Sequence, residues 1–158
     1  MRRARGFSLI ELLIVVAIIL IIAAMAVPSY LHSREAANES AAVGDLRTLN
    51  SAQITYNSAY PTVGYSTTLT ALGGTSCNPP NSSSACLIDS ALAGGLKSGY
   101  SFTITPGTDT PTSTYQFIAS PIEPGFSGTR YFCSFADAVI RVSMTALTSC
   151  DYTVSPQQ

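Results

Sequence analysis

The chain has 158 residues, with eight basic side chains against nine acidic ones and a net charge of −1. Near balance of that kind argues against a general electrostatic surface for nucleic acid. Beyond the amino-terminal 60 residues, about 100 remain, enough for one modest core but not for two domains.

Residues 1–6 form a short basic leader, with Arg2, Arg3 and Arg5 ahead of Gly6. Phe7 opens an apolar run that carries one acid, Glu11, and residues 12–27 contain no polar side chain. A helix over residues 7–28 would be roughly 33 Å long, enough to cross a bilayer core of about 30 Å. The arginines predict that the near end faces the cytoplasm and the bulk of the chain the outside. Length and charge leave two ordinary readings open. One is a secretory signal peptide cut near Ala23, Ala24 or Ala26, although the apolar part of a signal usually has only about 7–15 residues. The other is a single-pass anchor, which leaves Glu11 unexplained, since a charged side chain in a membrane helix is disfavoured by about 2.5–3.5 kcal/mol.

Gly6-Phe7-Ser8-Leu9-Ile10-Glu11 followed by Leu12-Leu13-Ile14-Val15-Val16-Ala17-Ile18 resembles the class III signal of type IV prepilins and of the related type II secretion pseudopilins. Several positions match together: Gly before the cut, Phe after it, Glu as the fifth mature residue, and Pro28 further along. The resemblance implies that a membrane-embedded prepilin peptidase cuts between Gly6 and Phe7 and N-methylates Phe7. It also implies that the apolar segment is retained, first as an inner-membrane anchor and then as the core of a helical filament. Cleavage would free an α-amine on Phe7, and residues 7 and 11 share one helix face. An acid in the first turn also suits the helix dipole. In the family this acid pairs with the amine of a neighbouring subunit during assembly. A buried pair adds little net stability, but leaving one charge unpaired is costly, so the pair selects register. Pro28 removes one helical hydrogen bond and is expected to kink the axis. Many pilins also carry a glycine in the middle of this segment, whereas residues 12–27 here have none. Without the three leader arginines, five basic side chains face nine acidic ones, a side-chain charge of −4. Lys97, Arg130 or Arg141 would then be the local phosphate-binding candidates.

Past Pro28 the helix is expected to continue as an amphipathic one to residue 60. Ala42, Leu46, Leu49, Gln53, Tyr56 and Tyr60 recur at spacings of four and three, a stripe suited to packing a head domain. Arg34, Glu35, Glu39, Asp45 and Arg47 mostly fall off that stripe and are expected to face solvent or neighbouring subunits. Pro61 and Gly64 mark the stop. Residues 58–78 read as loop, and residues 76–85 as a short low-complexity stretch. Residues 87–96 hold a short helix starting near Asp89 or Ser90 and stopping at Gly94-Gly95. Alternation at residues 100–105 and 115–119, and the runs 130–135 and 138–144 around Ala136-Asp137, read as strands. The expected fold is α+β: a pilin-like ladle, with one long amino-terminal helix packed against about four antiparallel strands. Its parts are the leader (residues 1–6), the membrane and filament-core helix (7–28), the amphipathic half of that helix (29–60) and the globular head (61–158).

Cys77, Cys86, Cys133 and Cys150 all lie in the exported part, and an even count in an oxidising compartment reads as two disulfides. Three connectivities exist. Pairing Cys77 with Cys86 and Cys133 with Cys150 closes two local loops and is the expected one. A disulfide closing the carboxy-terminal region also resembles many type IV pilins. Zinc is the rival use, but no CxxC spacing occurs. Asp137 and Asp151 are too few and too isolated for the calcium loop that would resemble the major pseudopilin of type II secretion. No catalytic, cofactor or metal site is recognised, and His32 is expected on an exposed helix face. Asn38-Glu39-Ser40 and Asn81-Ser82-Ser83 fit a glycosylation acceptor pattern that is weak in bacteria. The eight tyrosines and six phenylalanines are assigned to the core rather than to electron conduction.

The reading is therefore a structural subunit of a type IV pilus, a methylated, disulfide-bonded fimbrial protein serving adhesion, twitching motility or DNA uptake, and not an enzyme. Its implied partners are further copies of itself, the prepilin peptidase, an inner-membrane assembly platform, an assembly ATPase and the inner membrane. No specific nucleic acid is implied. The alternatives are a type II secretion pseudopilin and a low-abundance minor pilin that binds at a fibre tip.

Overall fold

A computed structural model describes residues 7–74 and 77–157. The expected leader, residues 1–6 with Gly6 at its end, lies outside them. The architecture is α+β: a long amino-terminal helix and an antiparallel five-stranded sheet. The chain divides into two compact units that meet in sequence between Arg34 and Glu35.

Helix α1 (Leu9–Ala59) has 51 residues and is helical through Pro28. Proline has no N–H, so the Ala24 carbonyl lacks its helical donor. Over residues 12–27 the helix is apolar all round. Residues 7–30 are all exposed apart from the half-buried Ala23, and by length and composition α1 can cross a membrane.

In the second unit the stripe behaves as its spacing dictates. Ala42, Leu46, Leu49, Gln53 and Tyr56 are buried, and Tyr60 packs at the core edge. They join Tyr100, Phe102, Phe117 and Phe132 in one core. The polar member Gln53 is fully buried because it is doubly satisfied: its Nε2 donates to the Ser66 carbonyl (2.9 Å) and its Oε1 accepts the Ser66 N–H (2.8 Å). Asn50 does similar work, donating to Ser134 Oγ (2.9 Å) and accepting from Tyr115 Oη (3.2 Å).

Two one-turn helices follow. Helix α2 (Leu69–Leu72) is capped by Thr68 and falls where a loop is expected. Helix α3 (Ser90–Ala93) starts at the Asp89 cap, whose carboxylate accepts the N–H groups of Ala91 and Leu92, and stops at Gly94. The sheet is a meander in chain order: β1 (Leu96–Lys97), β2 (Tyr100–Pro106), β3 (Tyr115–Pro121), β4 (Tyr131–Phe135) and β5 (Arg141–Ser143), all antiparallel. The fifth strand beyond the expected four is the two-residue β1. The last strand is shorter than the 138–144 run. Ala138 turns into the left-handed region (φ +58°), and Asp137 Oδ1 accepts the Val139 N–H, so the turn extends two residues past Asp137. The carboxy-terminal tail then lines β5, with Val142 N–H donating to Ser155 and Gln157 N–H donating to Ile140.

Candidate assembly site and head clamps

At the amino-terminal end, Phe7 is 79% exposed and Ser8 stands immediately before α1. Glu11 Oε2 accepts the Ser8 backbone N–H at 2.9 Å. The first N–H groups of a helix have no intrahelical acceptor, so an acid three residues past the cap satisfies one of them. A charge otherwise stranded in an apolar helix therefore has a local partner within its own chain. The Ser8-x-x-Glu11 spacing is the legible signal of this bond, and sequence reasoning that weighed the Phe7 amine and the helix dipole passed over it. Phe7, Glu11 and Pro28 all lie in the amino-terminal unit, Phe7 just ahead of α1 and the other two on it, and among the described residues of that unit the apolar flanks of the helix are exposed.

The charged side chains of the second unit correct one expectation. Glu39 (5% exposed) and Asp45 (7%) are buried rather than facing solvent, because each meets a cation from the far side of the fold. Glu39 Oε1 accepts the Thr129 N–H (2.9 Å), the Thr129 hydroxyl (3.1 Å) and the Arg130 N–H (3.1 Å), while Oε2 takes Arg130 Nε at 2.6 Å. Burial alone would raise the Glu39 pKa; those donors outweigh it and hold the carboxyl below its ordinary 4.5. Lys97 Nζ bridges Asp45 Oδ1 (2.8 Å) and Asp89 Oδ2 (2.9 Å), and the two hydrogen bonds raise the lysine pKa. The Lys97 bond and the Leu92 N–H hold Asp89 low. Arg141 pairs with Asp137 at 2.7 Å and stacks over Phe135, 4.2 Å from the ring centre. Burial pushes Asp137 up, but Arg141 and the Val139 N–H more than compensate and lower it. All three candidate phosphate-binding cations, Lys97, Arg130 and Arg141, are thus already engaged by carboxylates of the second unit.

Cys77 is bonded to Cys86 and Cys133 to Cys150, each with Cα atoms 5.8 Å apart. The second bridge ties the segment after β5 to β4, and the Cys150 N–H donates to Gln116 Oε1 of β3 at 2.8 Å. Among the described residues, no three His, Cys, Asp or Glu side chains converge as metal ligands would.

The family model described as the prokaryotic N-terminal methylation motif matches residues 1–27. The type IV wide pilus major component PilA4 of Thermus thermophilus is 58% identical over 40 residues, covering 25% of this chain and 30% of the relative. The type II secretion system core protein G of Vibrio cholerae is 42% identical over 65 residues, 39% of this chain and 44% of the relative. Its counterpart in Dickeya chrysanthemi is 39% identical over 64 residues, 39% of this chain and 42% of the relative. The chain spans less than half the length of the curated relatives it matches. No solved structure matches it significantly.

Proposed function

We propose that the chain, whose residues 1–27 match the prokaryotic N-terminal methylation motif, is a structural subunit of a type IV pilus. Its precursor sits in the inner membrane with the leader in the cytoplasm. The prepilin peptidase cuts after Gly6, methylates the new amine on Phe7, and hands the subunit to the platform protein and assembly ATPase. Copies then polymerise through the amino-terminal helix into an extracellular fibre.

One observation carries the reading: from residue 7 to residue 30 the helix leaves nearly all of its apolar surface bare. Surface of that extent is stable only when covered, by acyl chains before assembly and by other copies afterwards. Glu11 then gives the bundle its register. Its Oε2 accepts from Ser8, and the methylated amine of a neighbour would pair with the same carboxylate. Pro28 would supply a weak point where the helix bends or loosens. The disulfide-closed carboxy-terminal region, Cys133 to Cys150, supports a pilus subunit over a pseudopilin.

The pseudopilin reading has its own support: the matches to core protein G run over 64–65 residues, against 40 for PilA4. Quantifying the protein in the sheared extracellular fraction and in washed membranes separates the two. A pilus subunit dominates the sheared fibres. Protein confined to membranes, with none in the sheared fraction, would overturn the pilus assignment in favour of a pseudopilin.

A further inference from the structure

The second unit holds four cations, Arg47, Lys97, Arg130 and Arg141. Lys97 is committed to Asp45 and Asp89, and Arg141 to Asp137. Arg130 meets Glu39 through Nε, and among the described residues its two Nη atoms make no hydrogen bond. The exposed Arg47 guanidinium likewise has no hydrogen bond or ion pair among the described residues. These uncommitted donors line one polar groove of about 350 Å³, together with Ser40, Gly44 and Gln157. Glu39 borders the groove too, but its oxygens are already taken by four donors.

Gly44 keeps the groove open. It lies in the interior of α1 and is exposed, and a Cβ there would meet nothing within 4 Å. Glycine weakens a helix interior, and no packing within the chain requires it here. The gap therefore suits a group that approaches from outside the chain.

The acids of the same unit supply a complement. Three exposed acids, Asp109, Glu123 and Asp151, form no ion pair among the described residues. Asp109 accepts from the Ser113 hydroxyl and Asp151 from Thr153, whereas the Glu123 carboxylate has no hydrogen bond among the described residues. The Glu123 backbone is nevertheless fixed. Its N–H donates to Ser127 Oγ (3.0 Å), and its carbonyl accepts the Phe126 and Ser127 N–H groups (3.0 and 2.9 Å).

We propose that the Glu123 carboxylate of one copy seats in the Arg47–Arg130 groove of a second copy, as a contact of the assembled fibre. Planar guanidiniums offer paired N–H donors that match a carboxylate. Knob and groove are different surfaces of one unit, so the contact is heterologous and repeats from copy to copy, as an open polymer requires. Charge pairing of this kind selects partner and register more than it adds affinity. The proposal rests on the fibre reading of this chain.

The test uses the full chain in cells, with fibre yield taken as the ratio of subunit in the sheared fraction to subunit in washed membranes. Arg47→Glu and Glu123→Arg should each lower that ratio about tenfold while leaving the melting midpoint unchanged. The chain carrying both substitutions should recover most of it, because the pair is restored with its charges exchanged. Single variants that assemble at the unaltered ratio, or a double variant no better than either single one, would overturn the contact and leave the fibre standing. Gly44→Gln should raise the melting midpoint of the unassembled chain yet lower the ratio; full assembly of that variant would overturn the claim that the groove is filled. Absence of the unaltered chain from the sheared fraction would remove the fibre reading and this contact together.

Discussion

Replacing Glu39 tests whether the head is held by long-range charge rather than by the helix stripe alone. In Glu39→Ala four hydrogen bonds disappear. Breaking a buried pair from one side costs about 3–5 kcal/mol in general. Here the Arg130 side chain is 38% exposed, so water takes back part of the guanidinium, and the ion-pair share shrinks towards the roughly 1 kcal/mol of exposed pairs. What remains is the Thr129 and Arg130 N–H groups, each costing about 1–3 kcal/mol if left unsatisfied. The sum is at least about 3 kcal/mol, or a melting midpoint lowered by about 10 °C or more for a unit of this size. Glu39→Gln keeps the Oε1 acceptor but sets an amide N–H₂ against Arg130 Nε–H, and should fall in between. Arg130→Ala spares the backbone donors and should cost about 1 kcal/mol. Thermal unfolding of the full chain in detergent, followed by near-ultraviolet circular dichroism, reads all three. A Glu39→Ala midpoint no lower than that of Arg130→Ala would refute the reasoning, because it would mean the carboxylate does nothing for the loop backbone.

Other consequences are directly measurable. Mild reductant should open Cys77–Cys86 before Cys133–Cys150, because Cys77 is exposed while both partners of the second bridge are buried; alkylation mapping that finds Cys133 labelled first would contradict this. Loss of either bridge should cost about 3 kcal/mol by loop entropy. On the acid side, Glu39, Asp89 and Asp137 lie below their ordinary 4.5, 3.8 and 3.8; their contribution is complete above those values and is lost as pH falls through the lowered ones. On the alkaline side, burial pushes Tyr115 up to about 12 and Tyr100 higher still, from an ordinary 10.0, so the midpoint should begin to fall above pH 10; an unchanged midpoint at pH 12 would contradict that. Glu11→Ala should insert into membranes at normal levels yet yield few or no fibres, and normal fibre yield would remove the register role from Glu11.

What could be read from the sequence had local causes. The four-and-three stripe from Ala42 to Tyr60 and the alternation at residues 100–105 each fix a buried face within one element, and both faces are buried together. Asp89 and Gly94 bracket α3 because capping depends on immediate neighbours. The misses were long-range or very short. Glu39 meets Arg130 across 91 residues and Asp45 meets Lys97 across 52, so helix periodicity alone sent both acids to solvent. Helix α2 is a single turn and β1 only two residues, below the length at which a repeat can be recognised. The tail beside β5 contains Pro156, which reads as a breaker, yet the bonds are made by its neighbours Ser155 and Gln157. At the amino-terminal end the Ser8–Glu11 bond was present in the sequence as a capping-box pattern and went unused.

The most direct test of the account is the intact mass of the mature subunit, taken without reduction. The account predicts a chain that begins at N-methylated Phe7 and carries both disulfides. A chain that begins at Met1, or one cut beyond Ala26, would contradict it, since the apolar helix would then be an uncut anchor or a discarded signal.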